Sequence, residues 1–167
     1  MNKKAFTLVE LAVVLLVIGI LAGLLLRNLG GFTASARDQR RIGDLRNVSV
    51  YITNYYARQG QYPATTTWSG LESELRKAGV LGPGGDLPRD PLSPNQDYSY
   101  SYCTSSSNRV SNYVLRAVLE TTRGQSPQLF QGTVSYNDIT NAGLSCPGIT
   151  SANCATSSSS TDYCLLF

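Results

Sequence analysis

Residues 6–26 read FTLVELAVVLLVIGILAGLLL, an apolar run of 21 residues interrupted only by Thr7, Glu10 and two glycines. No charge occurs in 11–26. Coiled as a helix, the run spans roughly 30 Å, the thickness of a bilayer core, so a transmembrane helix is the first expectation. Beyond it the pattern turns amphipathic. Ile42, Leu45, Val48, Ile52 and Tyr55 recur at helical spacing, with Arg40, Arg41, Asp44, Arg46, Asn47 and Asn54 mostly off that stripe. The helix is expected to stop at 58–60, ahead of Tyr62-Pro63. A continuous helix over 6–58 would be about 80 Å long. Its least apolar stretch, 28–37, is the expected hinge, with Gly30-Gly31 as a weak point.

The remainder is shorter-ranged. Ser69-Gly70-Leu71-Glu72 reads as a capping box opening a small helix, with Leu71, Leu75 and Ala78 inward and Gly79 or Gly82 as the stop. Pro83, Pro88, Pro91 and Pro94 make 83–94 a loop. Residues 98–103 alternate Tyr, Ser, Tyr, Ser, Tyr, Cys and predict a strand, 113–120 its antiparallel partner, and 129–136 a third strand. The tyrosines at 98, 100 and 102 are read as one strand face packed on the long helix, in preference to an adhesive or electron-conducting surface. The expected class is α+β, a long N-terminal helix packed on a small antiparallel sheet.

Composition narrows the chemistry. Charged residues make up 15% of the chain, against about 25% in ordinary soluble domains. The net charge is +3, and Lys3 and Lys4 carry two of the positive charges, so no basic face for nucleic acid is inferred. There is no histidine, which excludes a Ser-His-Asp triad, a Cys-His dyad and a His-containing zinc site. No catalytic constellation emerges, and the chain is not read as an enzyme. The four cysteines, Cys103, Cys146, Cys154 and Cys164, form no C-x-x-C pair and all lie in the polar C-terminal part. Two disulfides in an oxidising, extracytoplasmic compartment are expected. Of the three connectivities, Cys146–Cys154 with Cys103–Cys164 is favoured: a short loop around Pro147-Gly148, and a tie from the chain end to the first strand.

Lys3-Lys4 followed by an apolar run also fits a secretory signal, with a weak cleavage candidate at Leu21-Ala22-Gly23. That reading gives a secreted or membrane-anchored binding domain. It leaves Glu10, a carboxylate early in the apolar run, without a purpose. Lys3-Lys4-Ala5-Phe6-Thr7-Leu8-Val9-Glu10 resembles the class III signal of type IV pilins and the related pseudopilins. The resemblance implies a leader, 1–5, cut between Ala5 and Phe6 by a prepilin peptidase, where the family usually has Gly in place of Ala5. It further implies N-methylation of Phe6, a transmembrane and filament-core helix over 6–26, its amphipathic continuation over 27–59, and a head over 60–167. Glu10 would meet the amino group of a neighbouring Phe6 and set subunit register, since opposite charges attract strongly at low dielectric. Gly19 and Gly23 form a G-x-x-x-G suited to close helix packing.

Also implied are self-assembly into a helical filament, a platform membrane protein, and indirectly an assembly ATPase. The subunit would sit in the cytoplasmic membrane with its N-terminus inside, then in an extracellular or periplasmic filament. The alternative within the group is a type II secretion pseudopilin. No cofactor is expected. A minor expectation is calcium on Asp86, Asp90, Asn95 and Asp97, oxygen donors within one loop, as in some secretion pseudopilins.

Overall fold

The computed structural model describes residues 7–26 and 29–167. The elements are α1 (Leu8–Leu26), α2 (Leu29–Gln59), α3 (Trp68–Lys77), β1 (Ser99–Thr104), β2 (Val110–Val118), a 3-10 turn at Pro127–Phe130, α4 (Tyr136–Asn141) and β3 (Asp162–Leu166). The class is α+β, as the patterning implied. The chain divides into two compact units, one ending at Ala36 and one running from Arg37 to Phe167. The expected hinge begins outside the described residues, and from Leu29 onward its backbone is helical, Gly30-Gly31 included.

In the second unit, Ile42, Leu45, Val48, Ile52 and Tyr55 are all buried and line the inner side of α2. The helix closes where Gly60 takes φ +72 and donates to the Tyr56 carbonyl at 2.8 Å. That left-handed position is one a glycine adopts without steric cost. Leu71 and Leu75 of α3 pack into the same core. The N-cap of α3 is Thr67, not Ser69: its side chain accepts from Gly70 N at 3.1 Å. Gly70 must be small, because a Cβ there would lie 2.2 Å from Thr65 Oγ1. Glu72 therefore does not cap. It accepts from Arg76 at 2.9 Å and from Leu87 N at 3.2 Å, tying the following loop to the helix.

The sheet is antiparallel in the order β1-β2-β3. Tyr100 pairs with Leu115 and Tyr102 with Tyr113, and across the other ladder Leu115 pairs with Leu165 and Ala117 with Tyr163. Side chains alternate between faces. Tyr98, Tyr100, Tyr113, Leu115, Ala117, Tyr163 and Leu165 fall in the helix-facing core. Cys103, Val114 and Cys164 fall on the opposite face, packed with Ile139, Cys146, Ile149 and Cys154. Both faces of the central strand are thus covered, one by helices and one by the Ser-rich C-terminal region.

Two expectations are overturned. The third strand is Asp162–Leu166, not 129–136. Pro127 starts a 3-10 turn, and Ser135 and Asp138 form a reciprocal capping box that opens α4, so 129–136 is spent on two helix starts. The disulfides are Cys103–Cys146 and Cys154–Cys164, not Cys146–Cys154 with Cys103–Cys164. Cys103 and Cys164 share a face, but β2 lies between their strands. Two strand spacings come to roughly 9.5 Å, beyond the Cα separation a disulfide spans. Instead Thr104 and Ser145 exchange two backbone hydrogen bonds at 2.9 Å, which sets Cys146 opposite Cys103. Val134 N donates to the Cys164 carbonyl at 2.9 Å and Tyr136 N to that of Cys154 at 3.1 Å, so one short segment holds those two cysteines side by side.

Candidate functional site

α1 is apolar around its whole circumference. Its large aliphatic side chains, from Leu8 to Leu24, are between 47% and 86% exposed within the chain. Burying each fully stabilises by about 1.5–3 kcal/mol relative to exposure. Twelve of them in this half-exposed state leave on the order of 10 kcal/mol or more unrealised, comparable with the whole stability of a domain. A helix of this kind is made to be covered by something else, lipid or other helices. Among the described residues no helix is long and apolar enough to cross a membrane. The 21-residue run counted from Phe6 begins outside them.

Thr7 and Glu10 open α1 together. Glu10 Oε2 accepts from Thr7 N at 2.9 Å and from Thr7 Oγ1 at 2.8 Å, while Thr7 Oγ1 accepts from Glu10 N at 3.3 Å. This is a reciprocal capping box. The glutamate, lacking a basic partner in the apolar run, is thereby satisfied at the helix N-terminus, where negative charge is favoured. Ala5 and Phe6, the expected cleavage and methylation residues, lie outside the described residues. Gly19 and Gly23 are four residues apart on one face of α1, and a Cβ at either would meet nothing within 4 Å. That face is open to close approach by another helix.

The second unit holds a cluster of charge in its interior. Arg41 on α2 is fully buried. It donates to Asp90 at 2.7 and 3.1 Å, to Asp38 at 2.7 Å and to Glu120 at 2.8 Å. Arg37, one turn earlier, also donates to Glu120, through Nε at 2.7 Å. Asp38 turns its carboxylate to the N–H groups of Glu120 and Thr121, both at 2.9 Å. The cluster thus joins α2 to the proline-rich loop and to the segment just after β2. Burial opposes the charge on Arg41, but its hydrogen bonds to Asp90, Glu120 and Asp38 outweigh burial and raise its pKa. Arg37 first, and Arg41 with it, hold the carboxyl of Glu120 down to about 2.

Two of the alternating tyrosines share one role. Tyr98 donates to Asp44 of α2 at 2.8 Å, and Tyr100 to the Pro63 carbonyl at 2.7 Å. Both are buried, and burial pushes both phenols far above their ordinary range. They pack the sheet on the helix. Of the four oxygen donors weighed for calcium, Asp90 is taken by Arg41 and Asp86 by Arg76 at 3.0 Å. Among the described residues no group of three or more His, Cys, Asp or Glu is gathered as a metal ion would need.

Sequence reading missed the Thr7 cap and the Arg41 cluster. The first was legible as T-x-x-E at the start of the apolar run. The second left only a weak trace, Asp38 and Arg41 at i, i+3, because Asp90 and Glu120 are remote in sequence.

Residues 1–26 match the prokaryotic N-terminal methylation motif. The chain is 34% identical over 71 residues to a fimbrial protein of Neisseria meningitidis serogroup A / serotype 4A, covering 42% of each. It is 32% identical over 89 residues to type II secretion system core protein G of Klebsiella michiganensis, covering 53% of this chain and 61% of that protein. With the core protein G of Escherichia coli K12 it shares 37% identity over 82 residues, 49% of this chain and 54% of that protein. The chain spans about half the length of the curated relatives it matches. No solved structure matches it significantly. An apolar helix opened by Thr7 and Glu10, ahead of a helix-backed antiparallel sheet, therefore coincides with a prepilin methylation motif in a chain that is similar both to type IV pilins and to type II secretion core G proteins.

Proposed function

We propose that this chain is a structural subunit of a type IV pilus-like filament, made as a prepilin and assembled through its N-terminal helix. The observation that carries the reading is α1: apolar on every side, exposed along its length, and bearing one carboxylate near its start. Stored in the cytoplasmic membrane, the helix is covered by lipid. In a filament it is covered by copies of itself. A prepilin peptidase would remove 1–5 and methylate Phe6. The amino group of Phe6 would then draw Glu10 of a neighbour out of its capping box, exchanging two hydrogen bonds from Thr7 for an ion pair. A platform membrane protein and, behind it, an assembly ATPase are the partners this route requires. The disulfide-bonded head, residues 60–167, would face an oxidising compartment outside the membrane.

The similarity to core G proteins supports a second reading, a pseudopilin whose short filament serves secretion. Mass spectrometry of the N-terminal peptide from cells tests both: N-methyl-Phe6 is expected, and a mature chain starting near Leu24 would sink the filament reading. Filaments on intact cells by electron microscopy favour the pilus, and a secretion defect without surface filaments in the deletion strain favours the pseudopilin.

A further inference from the structure

Among the described residues, every Asp and Glu but one makes a hydrogen bond or an ion pair. The exception is Asp97, just ahead of β1. It lines a pocket of about 380 Å³ together with Arg89, which likewise makes neither a hydrogen bond nor an ion pair. Two opposite, uncommitted charges thus share one depression without closing on each other. The lining adds hydroxyl groups from Thr66, Ser69 and Ser99, the indole of Trp68, and the carboxylate of Glu72, which Arg76 and Leu87 N already hold.

That indole is fixed in place. Its Nε1 donates to the Pro88 carbonyl at 3.1 Å, and its ring meets Tyr98 edge-on at 5.3 Å between centroids. Tyr98 is itself held by Asp44 of α2. The platform is therefore anchored through the core and does not have to be ordered when a ligand arrives, which lowers the cost of binding.

We infer that this pocket, lined by Trp68, Arg89 and Asp97, binds a neutral saccharide. A pyranose offers a C–H face to stack on an indole and a rim of hydroxyls that both donate and accept. Arg89 can only donate and Asp97, ionised, can only accept. A ligand with both capacities satisfies the two at once. A simple anion would be opposed by Asp97 and a simple cation by Arg89, so the pair favours a ligand without net charge. The volume admits one or two sugar rings. This inference does not rest on filament assembly, because every residue it uses lies in the second unit.

Trp68 is the single tryptophan of the chain, so its emission reports on the pocket directly. The full chain is held in a zwitterionic detergent without a sugar headgroup and titrated with galactose, N-acetylgalactosamine, glucose and mannose. A saturable change in emission is expected for at least one of them at millimolar concentration. Asp97→Asn and Arg89→Gln should each weaken it roughly tenfold, the loss of a hydrogen bond to a charged group. Both side chains are exposed and make neither a hydrogen bond nor an ion pair, so the variants should keep the circular dichroism of the parent. Arg109→Gln, in a separate depression beside Tyr56, should leave the titration unchanged. Absence of any saturable change across the four sugars up to about 100 mM, or undiminished binding in the Arg89→Gln/Asp97→Asn double variant, overturns the inference.

Discussion

Replacing Arg41 by methionine keeps an unbranched apolar stem and removes the guanidinium and its charge. Asp38 and Asp90 are both buried, and Arg41 is the cation that reaches both of them. Asp38 would keep its bonds to the N–H groups of Glu120 and Thr121. Asp90 would keep the Leu92 N–H at 2.8 Å and a 3.3 Å bond from Gln96, but no cation among the described residues. Removing one partner of a buried pair typically costs about 3–5 kcal/mol, because the other charge stays behind unpaired. Against a whole-domain stability of about 5–15 kcal/mol, that is a large fraction. Asp90→Asn should cost less, since Arg41 retains Asp38 and Glu120. The two substitutions together should cost less than the sum of the singles by about 1 kcal/mol or more, as expected for neighbours in one network. Urea unfolding of the full chain in a zwitterionic detergent, followed by Trp68 emission, measures all three. A loss below about 1 kcal/mol for Arg41→Met, or strict additivity in the double variant, refutes the argument.

The cluster also has a pH signature. The folded state holds the carboxyl of Glu120 at about 2, against an ordinary value of 4.5. The ionised form is the one favoured on folding, so its contribution is complete above about pH 4.5 and is lost as the pH falls toward 2. Glu120→Gln should therefore flatten the acid limb of stability in that window. An acid limb unchanged by this substitution would place the loss on other groups.

Four further outcomes bear on the N-terminus and the tail. Glu10→Ala should abolish or disorder filament assembly while the protein stays in the membrane fraction, and wild-type filament yield would count against a register role. Thr7→Ala should cost α1 about 1 kcal/mol of capping, whereas Thr7→Ser should be nearly neutral by circular dichroism in detergent. Ala5→Gly should be processed at least as well as the parent and Ala5→Leu not at all, by the mobility shift of the precursor; normal cleavage of the leucine variant would move the cut elsewhere. Peptide mapping without reduction should yield Cys103–Cys146 and Cys154–Cys164. Loop-entropy arguments give their loss about 4 and about 3 kcal/mol, for closures of 43 and 10 residues.

The elements set by local pattern are legible in the order of residues alone. The apolar run, the α2 stripe ending at Gly60, the paired strands and the T-x-x-E at Thr7 are consequences of period, turn chemistry and capping, all of which act over a few residues. The missed features are mostly those in which remote residues meet. Asp90 and Glu120 are 49 and 79 positions from Arg41, and nothing in their neighbourhoods marks them as its partners. The same holds for the third strand: DYCLL alone does not say that it will lie beside β2, and 129–136 has an equal claim until its two ends are taken by helix starts. The cysteine pairing turned on sheet order. With β2 between Cys103 and Cys164 the favoured link is too long, and the correct partners are set by backbone bonds at Thr104–Ser145 and at Val134 and Tyr136. Sequence by itself determined where the main helices and the first two strands lie and that the N-terminal helix must be covered from outside the chain. Tertiary structure alone decided which charges, strands and sulfurs become neighbours, because loop closure brings distant positions together at little extra entropic cost and leaves no periodic trace.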